Sequence, residues 1–387
     1  MTAPANPVAA VTHPDPYPYY ARLLTEQPVY HDPAINSWVV ASAETVTTVL
    51  TNADFRVRPV NEPVPGTLMG TPAGDIFGRL VRMRDGAEHQ SIKNAVAASL
   101  ATIDPAEVAA LSHRWARQLV EASEESDIVY ELSVHVIGSL LGIPDEQLAQ
   151  TAAWMRAFVY CISPVSTPEQ IEQGKQAATS LWAQFTELRA EQHQRSDSLL
   201  GTLAGNLQQV DDDDEAIAIA NGIGLLWQAH DATAGLIGNT LVTLARHADL
   251  RDRLAHEPTL LNRIIAEVLR HDPPIQNTRR SVTVETTLAG HQLQPGDSVL
   301  VVLAAANRDP AANLNPDVFD PDRTNRQSFT FGAGPHACPG QMPAATIARA
   351  GVEALLDAGM LPGEPVTYQP SANARIPVIN WNRSSQP

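Results

Sequence analysis

The chain of 387 residues is poor in cysteine, in aromatic residues and in positive charge. Its two cysteines are too few for the disulfide framework of a small secreted protein. Lysine and arginine number 26 against 43 aspartates and glutamates. The formal net charge of −17 argues against non-specific binding to nucleic acid or to acidic membranes.

Long hydrophobic runs are also missing, although hydrophobic residues make up 44% of the chain and suffice for a large core. No run of about 18 apolar residues occurs, so the sequence predicts no membrane-spanning helix. The N-terminal segment is rich in proline and lacks the basic start and apolar centre of a signal peptide. We therefore expect a cytoplasmic protein.

What the chain does contain is a lone cysteine in a glycine-rich loop, Phe331-Gly-Ala-Gly-Pro-His-Ala-Cys338-Pro-Gly340. Glycines permit tight turns and close backbone approach, and a cation such as His336 favours a thiolate. The β-like run Phe329–Phe331 before the loop and the helix-forming run Ala344–Ala354 after it predict a strand, a loop and a helix. Taken alone, the loop also fits an inert buried cysteine.

This loop resembles the cysteine loop of the cytochrome P450 superfamily, which reads Phe-x-x-Gly-x-x-x-Cys-x-Gly. Phe331, Gly334, Cys338 and Gly340 match its four fixed positions. The resemblance implies haem b as the cofactor, with its iron ligated by the Cys338 thiolate and with Phe331, Gly334 and Gly340 shaping the cofactor site.

A second pattern lies upstream, where a predicted helix over Leu260–Leu269 carries Glu267 and leads into Arg270. Three-residue spacing places this pair on one helix face, where a solvated surface ion pair is the ordinary interpretation. In the resembled superfamily a Glu-x-x-Arg pair binds a further arginine of a Phe-Asp-Pro-x-Arg segment. The resemblance therefore implies a structural triad of Glu267, Arg270 and Arg323.

The two propionates of haem need cationic partners, and the resemblance implies four of them. His89 and Lys93, spaced to face the same way on a helix, match a His-x-x-x-Arg propionate clamp in which lysine replaces arginine. Lysine keeps the charge but loses the bidentate fork. Arg280 fits the second propionate arginine, with Arg279 as the other possible register, and His336 is the remaining partner.

The oxygen side departs from the superfamily pattern. A long helix over residues 212 to about 245 is predicted to cross the distal face of the haem, and its centre is similar to the Ala-Gly-x-(Asp/Glu)-Thr motif. The alignment puts Asp231 at the acid position but Ala232 at the position of the alcohol that assists oxygen activation and proton delivery. Thr233 cannot simply replace that alcohol, because one residue turns a side chain by about 100° around a helix.

Gln228 is also unusual, since it lies four residues before Ala232 where a small apolar residue is usual. It either faces the haem and hydrogen-bonds oxygen, water or substrate, or packs elsewhere. Asp231 is a proton relay or the acid of a structural ion pair. For His230 we expect neither a ligand nor a base role.

The resemblance implies a mainly α fold with a small β-rich lobe, in which haem lies between the long distal helix and the helix after the cysteine loop. It implies one cytochrome P450 domain over residues 1–387, with about 1–15 as proline-rich coil, and a monomer. The expected activity is hydroxylation of a medium-sized, partly polar small molecule of the natural-product type. The reaction would use O₂ and electrons from a ferredoxin- or flavodoxin-type donor.

Because Ala232 replaces the usual alcohol, other activities stay open. The iron could perform coupling, desaturation or nitration, or could be driven directly by peroxide, and a haem-binding carrier or sensor without turnover is a further alternative. Substrate contacts are expected from a long loop over residues 56–77 and from four later segments, with Asn61, Gln228 and Gln276 as polar lining residues. Those later segments are Met155–Ile171, Leu225–Gly235, Pro274–Val282 and Ile376–Ile379.

Overall fold

The computed structural model describes residues 2–122, 128–163, 166–192, 198–208 and 214–383. Helices make up most of it, with 59% of the residues helical. In chain order the helices are α1 (Pro7–Ala10), α2 (Tyr17–Glu26), α3 (Ala43–Thr51), α4 (Pro72–Arg79), α5 (Gly86–Ala101), α6 (Pro105–Ala122), α7 (Ile128–Leu141), α8 (Asp145–Cys161), α9 (Pro168–Gln192), α10 (Leu199–Leu207), α11 (Asp214–Arg246), α12 (Ala248–His256), α13 (Leu260–His271), α14 (Leu303–Ala306) and α15 (Gln341–Asp357).

The β structure forms a separate lobe built on a five-stranded sheet with the order β1-β2-β7-β4-β3. Strands β2 and β7 pair in parallel, and the other neighbours in this sheet pair antiparallel. Three two-stranded ribbons lie outside this sheet, and strands of two of them, β8 and β10, contact helix α11. The strands are β1 (Val29–Asp32), β2 (Ser37–Val40), β3 (Phe55–Arg56), β4 (Thr278–Val282), β5 (Thr286–Leu288), β6 (His291–Leu293), β7 (Ser298–Val301), β8 (Met360–Pro362), β9 (Thr367–Tyr368), β10 (Pro377–Val378) and β11 (Trp381–Arg383).

Helix α11 is the axis of the helical lobe, because it contacts α7, α9, α10 and α15 along its length. Small residues let neighbouring elements approach it closely. A Cβ on Gly224 would lie 2.4 Å from the Leu80 side chain, so the segment before α5 packs directly against the middle of this helix. The expected mainly α fold with a small β-rich lobe is therefore confirmed.

Three local predictions are wrong. The proline-rich coil expected over residues 1–15 contains helix α1, which Asn6 caps by accepting a hydrogen bond from the Ala9 N–H. The loop expected over 56–77 ends in a helix: α4 begins inside it at Pro72 and is capped by Thr71. No strand forms at Phe329–Phe331, because the Phe329 N–H donates to the Asn307 side chain instead of to a neighbouring strand.

Within the described ranges, no single helix has both the length and the apolar composition needed to cross a membrane. The bent pair α5 and α6 meets those two requirements only when its two helices are taken together. The acidic run at residues 211–215 begins outside the described residues, and only its last two acids are seen, in the first turn of α11.

Candidate functional site

The cysteine loop is held in shape by its own backbone. The Cys338 N–H donates to the Phe331 carbonyl at 2.8 Å, and the Gly340 N–H points at the Cys338 sulfur at 3.4 Å. Gly334 has a φ of +66°, and a Cβ there would lie 2.7 Å from the Leu50 carbonyl oxygen, so only glycine fits this turn against α3. Burial raises the pKa of the Cys338 thiol, whereas the Gly340 N–H, Lys93 and Arg82 act to lower it.

One face in the middle of helix α11 is less buried than the rest of the helix, and we call this face the recess. Most residues of this helix are buried, but Trp227, Gln228, Asp231 and Ala232 are only half-buried although they lie halfway along a core helix. Thr233, the next residue, is 1% exposed. The step from Ala232 to Thr233 thus turns the hydroxyl away from the recess, as the helical rotation predicts.

The polar side chains of this helix segment are partly engaged. Gln228 donates from its amide to the Gly224 carbonyl one turn earlier, at 2.9 Å. Asp231 lies 2.8 Å from the Nδ1 atom of His230. The Thr233 hydroxyl is buried and finds no hydrogen-bond partner among the described residues. Gln228 therefore keeps its amide oxygen as the group that can still accept a bond.

Cations gather beside the cysteine loop in a group that we call the edge cluster: Arg82, His89, Lys93, Arg280 and His336 around the single carboxylate of Asp85. The His89 and His336 rings are 4.0 Å apart between centroids, and His336 Nε2 lies 3.1 Å from Asp85. Lys93 donates to the carbonyl of Ala337, the residue before Cys338. Helix α5, strand β4 and the cysteine loop thus bring together the four predicted propionate partners.

The edge cluster carries more positive charge than its one carboxylate balances. Burial lowers the pKa of His89 to about 4, with His336 and Lys93 lowering it further and Asp85 opposing them. Burial also lowers the pKa of Arg280 to about 10, where Asp85 raises it and Arg82 lowers it. Burial is the largest cause of both shifts, and neighbouring positive charge adds to each of them. A bound anion would oppose both effects.

Comparison with known proteins places this geometry in a family. The family model for cytochrome P450 matches residues 166–357. The chain is 25% identical to the biotin biosynthesis cytochrome P450 of Bacillus subtilis (strain 168), over 92% of each chain. It is 28% identical to the cytochrome P450 monooxygenase PikC of Streptomyces venezuelae, over 96% of this chain and 92% of that one. The crystal structure of CalO2 superposes with a TM-score of 0.84 at 26% identity, covering 99% of this chain and all of that one.

The chain belongs to the cytochrome P450 superfamily. It is a P450 monooxygenase of the bacterial type, and haem held by a cysteine thiolate is the cofactor of this fold. The residues present fit that group. Cys338 lies in a loop whose Gly340 N–H points at its sulfur, and the edge cluster offers surplus cations of the kind that two propionates need.

Strand β4 places the two arginines of the alternative registers on opposite faces. Arg280 is 7% exposed, whereas Arg279 on the opposite face is exposed. Because successive side chains of a strand point to opposite faces, only one of the two can face inward. In this P450 the inward one is Arg280, whose Nη1 also donates to the Arg279 carbonyl at 2.8 Å.

Away from the recess, Glu267 of helix α13 binds three arginines, a set that we call the Glu267 network. Arg270 donates to Glu267 Oε1 at 2.5 Å, and Arg323 lies 3.3 Å from the same oxygen. Arg326 lies 2.8 Å from the other oxygen and has no counterpart in the predicted triad. Since Glu267 and Arg270 are both 0% exposed, this is a buried ion-pair network and not a surface pair.

Sequence reasoning also missed Arg82 as a member of the site and misassigned Gln276. The amide oxygen of Gln276 accepts from the Tyr20 hydroxyl, and its amide nitrogen donates to the Pro273 carbonyl. Gln276 is 0% exposed and so does not line the recess. No short-range signal marks Arg82, because the partners that define its place, Trp227 and Arg280, are distant in sequence.

Proposed function

We propose that this P450 hydroxylates a medium-sized, partly polar small molecule of the natural-product type with O₂ and electrons from a ferredoxin- or flavodoxin-type protein. The supporting observation is the recess itself, where half-buried Trp227, Gln228 and Asp231 present both apolar and polar surface. Arg82, which lies over the Trp227 ring, links this surface to Cys338, whose charge acts on it. The biotin biosynthesis P450 of Bacillus subtilis is named for a biosynthetic role, which supports a natural-product substrate class.

In this proposal Cys338 is the iron ligand. When bound, haem supplies the activation of dioxygen and the insertion of one oxygen atom into a substrate C–H bond. The chain keeps the sulfur available by holding the loop with the Cys338-to-Phe331 backbone bond, and the Gly340 N–H stabilises a thiolate at 3.4 Å. Phe331 and Gly334 give the loop its apolar side and its tight turn. Cys161 is unsuited, because burial raises its pKa to about 12.

His89, Lys93, Arg280 and His336 are the proposed propionate partners. Each provides an N–H donor, and together with Asp85 they form one charge cluster at one side of the loop. The buried position of Arg280 on β4 fixes the direction of its fork, whereas Lys93 supplies a single charged group from α5.

On the distal side, Asp231 is the proposed proton-holding group. Its carboxylate accepts from His230, whose ring packs against Tyr130 at a tilt of 35°, with 5.1 Å between centroids. His230 and Tyr130 line a recess of about 160 Å³ that also touches Glu131 and Arg156. Arg156 is exposed, so this second recess reaches the surface. A proton can therefore pass from the surface side to His230 and on to Asp231, which faces the first recess.

This route gives His230 a role that its sequence context did not suggest, that of orienting Asp231 and passing protons to it. It does not restore the missing hydroxyl at Ala232. A substrate hydroxyl or amide, or water bound to the free amide oxygen of Gln228, takes that place in the proposal. If none of these suffices, the same absence favours the second candidate function, a peroxide-driven or otherwise atypical oxidation such as coupling, desaturation or nitration.

For the electron donor, the proposed docking face is the outer side of the cysteine loop. Any attraction there must come from the few positively charged side chains near that loop, because the chain as a whole is acidic. Several nearby cations are already paired: Arg84 with Glu88, Arg114 with Asp145, and Arg349 with Glu353. Arg117, three residues after Arg114 and on the same face of α6, is exposed. An acidic ferredoxin or flavodoxin would meet few uncompensated cations, which supports a weak, transient complex.

The test is oxidation of a panel of candidate substrates, run in parallel with a surrogate reductase system and with hydrogen peroxide. Oxygenated product that depends on the reductase and is well coupled to electron consumption supports the hydroxylase. Turnover mainly with peroxide supports the atypical oxidation, and no turnover with either leaves the carrier or sensor.

Matched cysteine variants show whether that chemistry uses Cys338. Cys338→Ser should abolish the CO-difference band that is typical of thiolate-ligated haem, whereas Cys161→Ser should retain it. Retention of the band in Cys338→Ser would refute the ligand assignment.

A further inference from the structure

Arg82 belongs to the edge cluster but is not among the four proposed propionate partners, and its side chain reaches the recess. It lies in the short turn Val81–Met83 between α4 and α5. Its guanidinium carbon is 5.0 Å from the centroid of the Trp227 ring, on the recess side of helix α11. This arginine therefore stands next to the helix segment that carries Gln228 and Asp231.

The backbone that carries Arg82 is fixed to helix α11. The Val81 N–H donates to the Asn221 side chain at 2.9 Å, and the same side chain donates back to the Arg79 carbonyl at 2.9 Å. Leu80 packs on Gly224, where a Cβ would clash at 2.4 Å. The backbone beneath Arg82 is thus set by the fold, and the ring of Trp227 is the surface against which its guanidinium lies.

Arg82 has no anionic partner of its own. No carboxylate or carbonyl oxygen in the described ranges accepts a hydrogen bond from its guanidinium, which is exposed within the recess. Protein nevertheless surrounds it closely enough that burial lowers its pKa, with the field of Cys338 opposing this. An arginine over an aromatic face keeps its in-plane N–H groups available for a planar, bidentate acceptor.

Arg58 shows what a satisfied arginine looks like in the same region. Its guanidinium lies 5.5 Å from the Phe77 ring centroid and donates to the Glu62 carbonyl at 2.8 Å. Phe77 and Phe158 pack against the Trp227 ring at centroid distances of 6.3 and 6.1 Å. The apolar support of Trp227 is therefore complete, and Arg82 is the member of this group with unused donors.

We propose that Arg82 binds the carboxylate of an anionic substrate whose apolar or aromatic body lies against Trp227. One guanidinium balances one negative charge, which fits a carboxylate better than a phosphate dianion. The inference rests on the proposed function in taking the recess as the substrate side. A haem propionate is the other source of a carboxylate in this place, because Arg82 also acts on Arg280 of the edge cluster.

The experiment measures binding of 4-phenylbutyrate and of its neutral amide, 4-phenylbutyramide, to the haem-loaded protein by the change in haem absorption. Wild type should bind the butyrate about 10- to 100-fold more tightly than the amide, as expected for a charged hydrogen-bonded pair. Arg82→Gln should bring this ratio close to one without weakening the amide. Arg58→Gln, the matched control, should keep the wild-type ratio.

Haem release to apomyoglobin separates the two carboxylate sources. Unchanged release in Arg82→Gln, together with the lost preference, supports the substrate site. Faster release with an unchanged butyrate-to-amide ratio would overturn it in favour of a propionate contact. No preference for butyrate in wild type, including no binding of it, would also overturn it. Failure to oxidise any substrate would refute the proposed function but not this binding result.

Discussion

The Glu267 network and the edge cluster are each built around one carboxylate with several cations, and they differ in what satisfies the surplus charge. In the Glu267 network, Arg270 donates to the backbone carbonyls of Asn307, Pro316 and Val318 as well as to the carboxylate. Those oxygens take up the remaining N–H groups. All the donors of Arg270, the fully buried arginine of the network, are therefore used, and none of them is left for a ligand.

The edge cluster has fewer such oxygens: Lys93 donates to the Ala337 carbonyl and Arg280 donates to the Arg279 carbonyl through Nη1 alone. One carboxylate oxygen of Asp85 contacts His336, and the other accepts a hydrogen bond from the Val57 N–H. The pKa of His89 and of Arg280 is held low by burial and by neighbouring positive charge. A cluster that keeps its cations under mutual repulsion is poised to bind an anion, whereas one that saturates them with carbonyls holds the fold together.

The largest expected effect of a substitution falls on the Glu267 network. Glu267→Gln leaves three arginines around a neutral group at a fully buried site, so the free energy of unfolding should drop by about 3–5 kcal/mol. Chemical denaturation measures it. Arg253→Gln, which removes an exposed pair with Asp322, is the control and should cost at most about 1 kcal/mol. Equal losses in the two variants would mean that the network is not structural.

Unfolding at acid pH should also depend on the Glu267 carboxylate. Burial raises the pKa of Glu267, but the hydrogen bonds from Arg270 and Arg326 outweigh it and lower the pKa from its ordinary value of 4.5. The folded state then binds fewer protons than the unfolded state, so this stabilisation is full above pH 4.5 and is lost as the pH falls through the lower folded value. Unfolding measured against pH should show a flatter acid limb in Glu267→Gln. An identical acid limb would contradict this origin.

Substitutions in the edge cluster should change the rate of haem release more than the free energy of unfolding. Arg280→Gln should speed haem release to apomyoglobin by about 10- to 100-fold, the effect of losing a hydrogen bond to a charged group. Arg279→Gln is matched in sequence and lies on the outer face of the same strand, where its Nη1 contacts Ser37 at 3.4 Å. It should release haem at the wild-type rate. A reversed order would assign the propionate to the other register.

The smallest effect is expected for the carboxylate of the edge cluster. Asp85→Asn keeps an acceptor for the Val57 N–H and removes negative charge from a site that favours anions. Its free energy of unfolding should change by about 1 kcal/mol, well below the loss for Glu267→Gln. If denaturation shows equal losses for the two carboxylates, the edge cluster is also a structural network, and the comparison between them fails.

Motifs of fixed spacing made much of this predictable. The cysteine loop, the Glu267–Arg270 pair and the His89–Lys93 pair each need only residues close in sequence, and the resemblance joined them into one site. Contacts set by the tertiary fold were not predictable. Arg326 reaches Glu267 across 59 positions, and Arg82 reaches Trp227 from a turn pinned by Asn221.

Other errors came from local signals that compete with one another. Helix α4 has a capping Thr71 and a proline at its start, yet the glycines and prolines around it favoured a loop. The run at Phe329–Phe331 has β propensity, but Asn307 and Leu269 accept its hydrogen bonds and no strand partner lies beside it. For α4 the capping signal was outweighed by its neighbours in the prediction, and for Phe329–Phe331 the hydrogen-bond partners distant in sequence set the conformation.

The most direct measurement compares release of haem and of haem dimethyl ester, whose propionates are masked, from wild type and from Arg280→Gln. If the edge cluster is an anion site for the propionates, wild type should release the ester at least about tenfold faster than haem, and the variant should show a much smaller difference. Equal release of haem and ester from wild type would contradict that role and would leave the surplus cations of the edge cluster without a ligand.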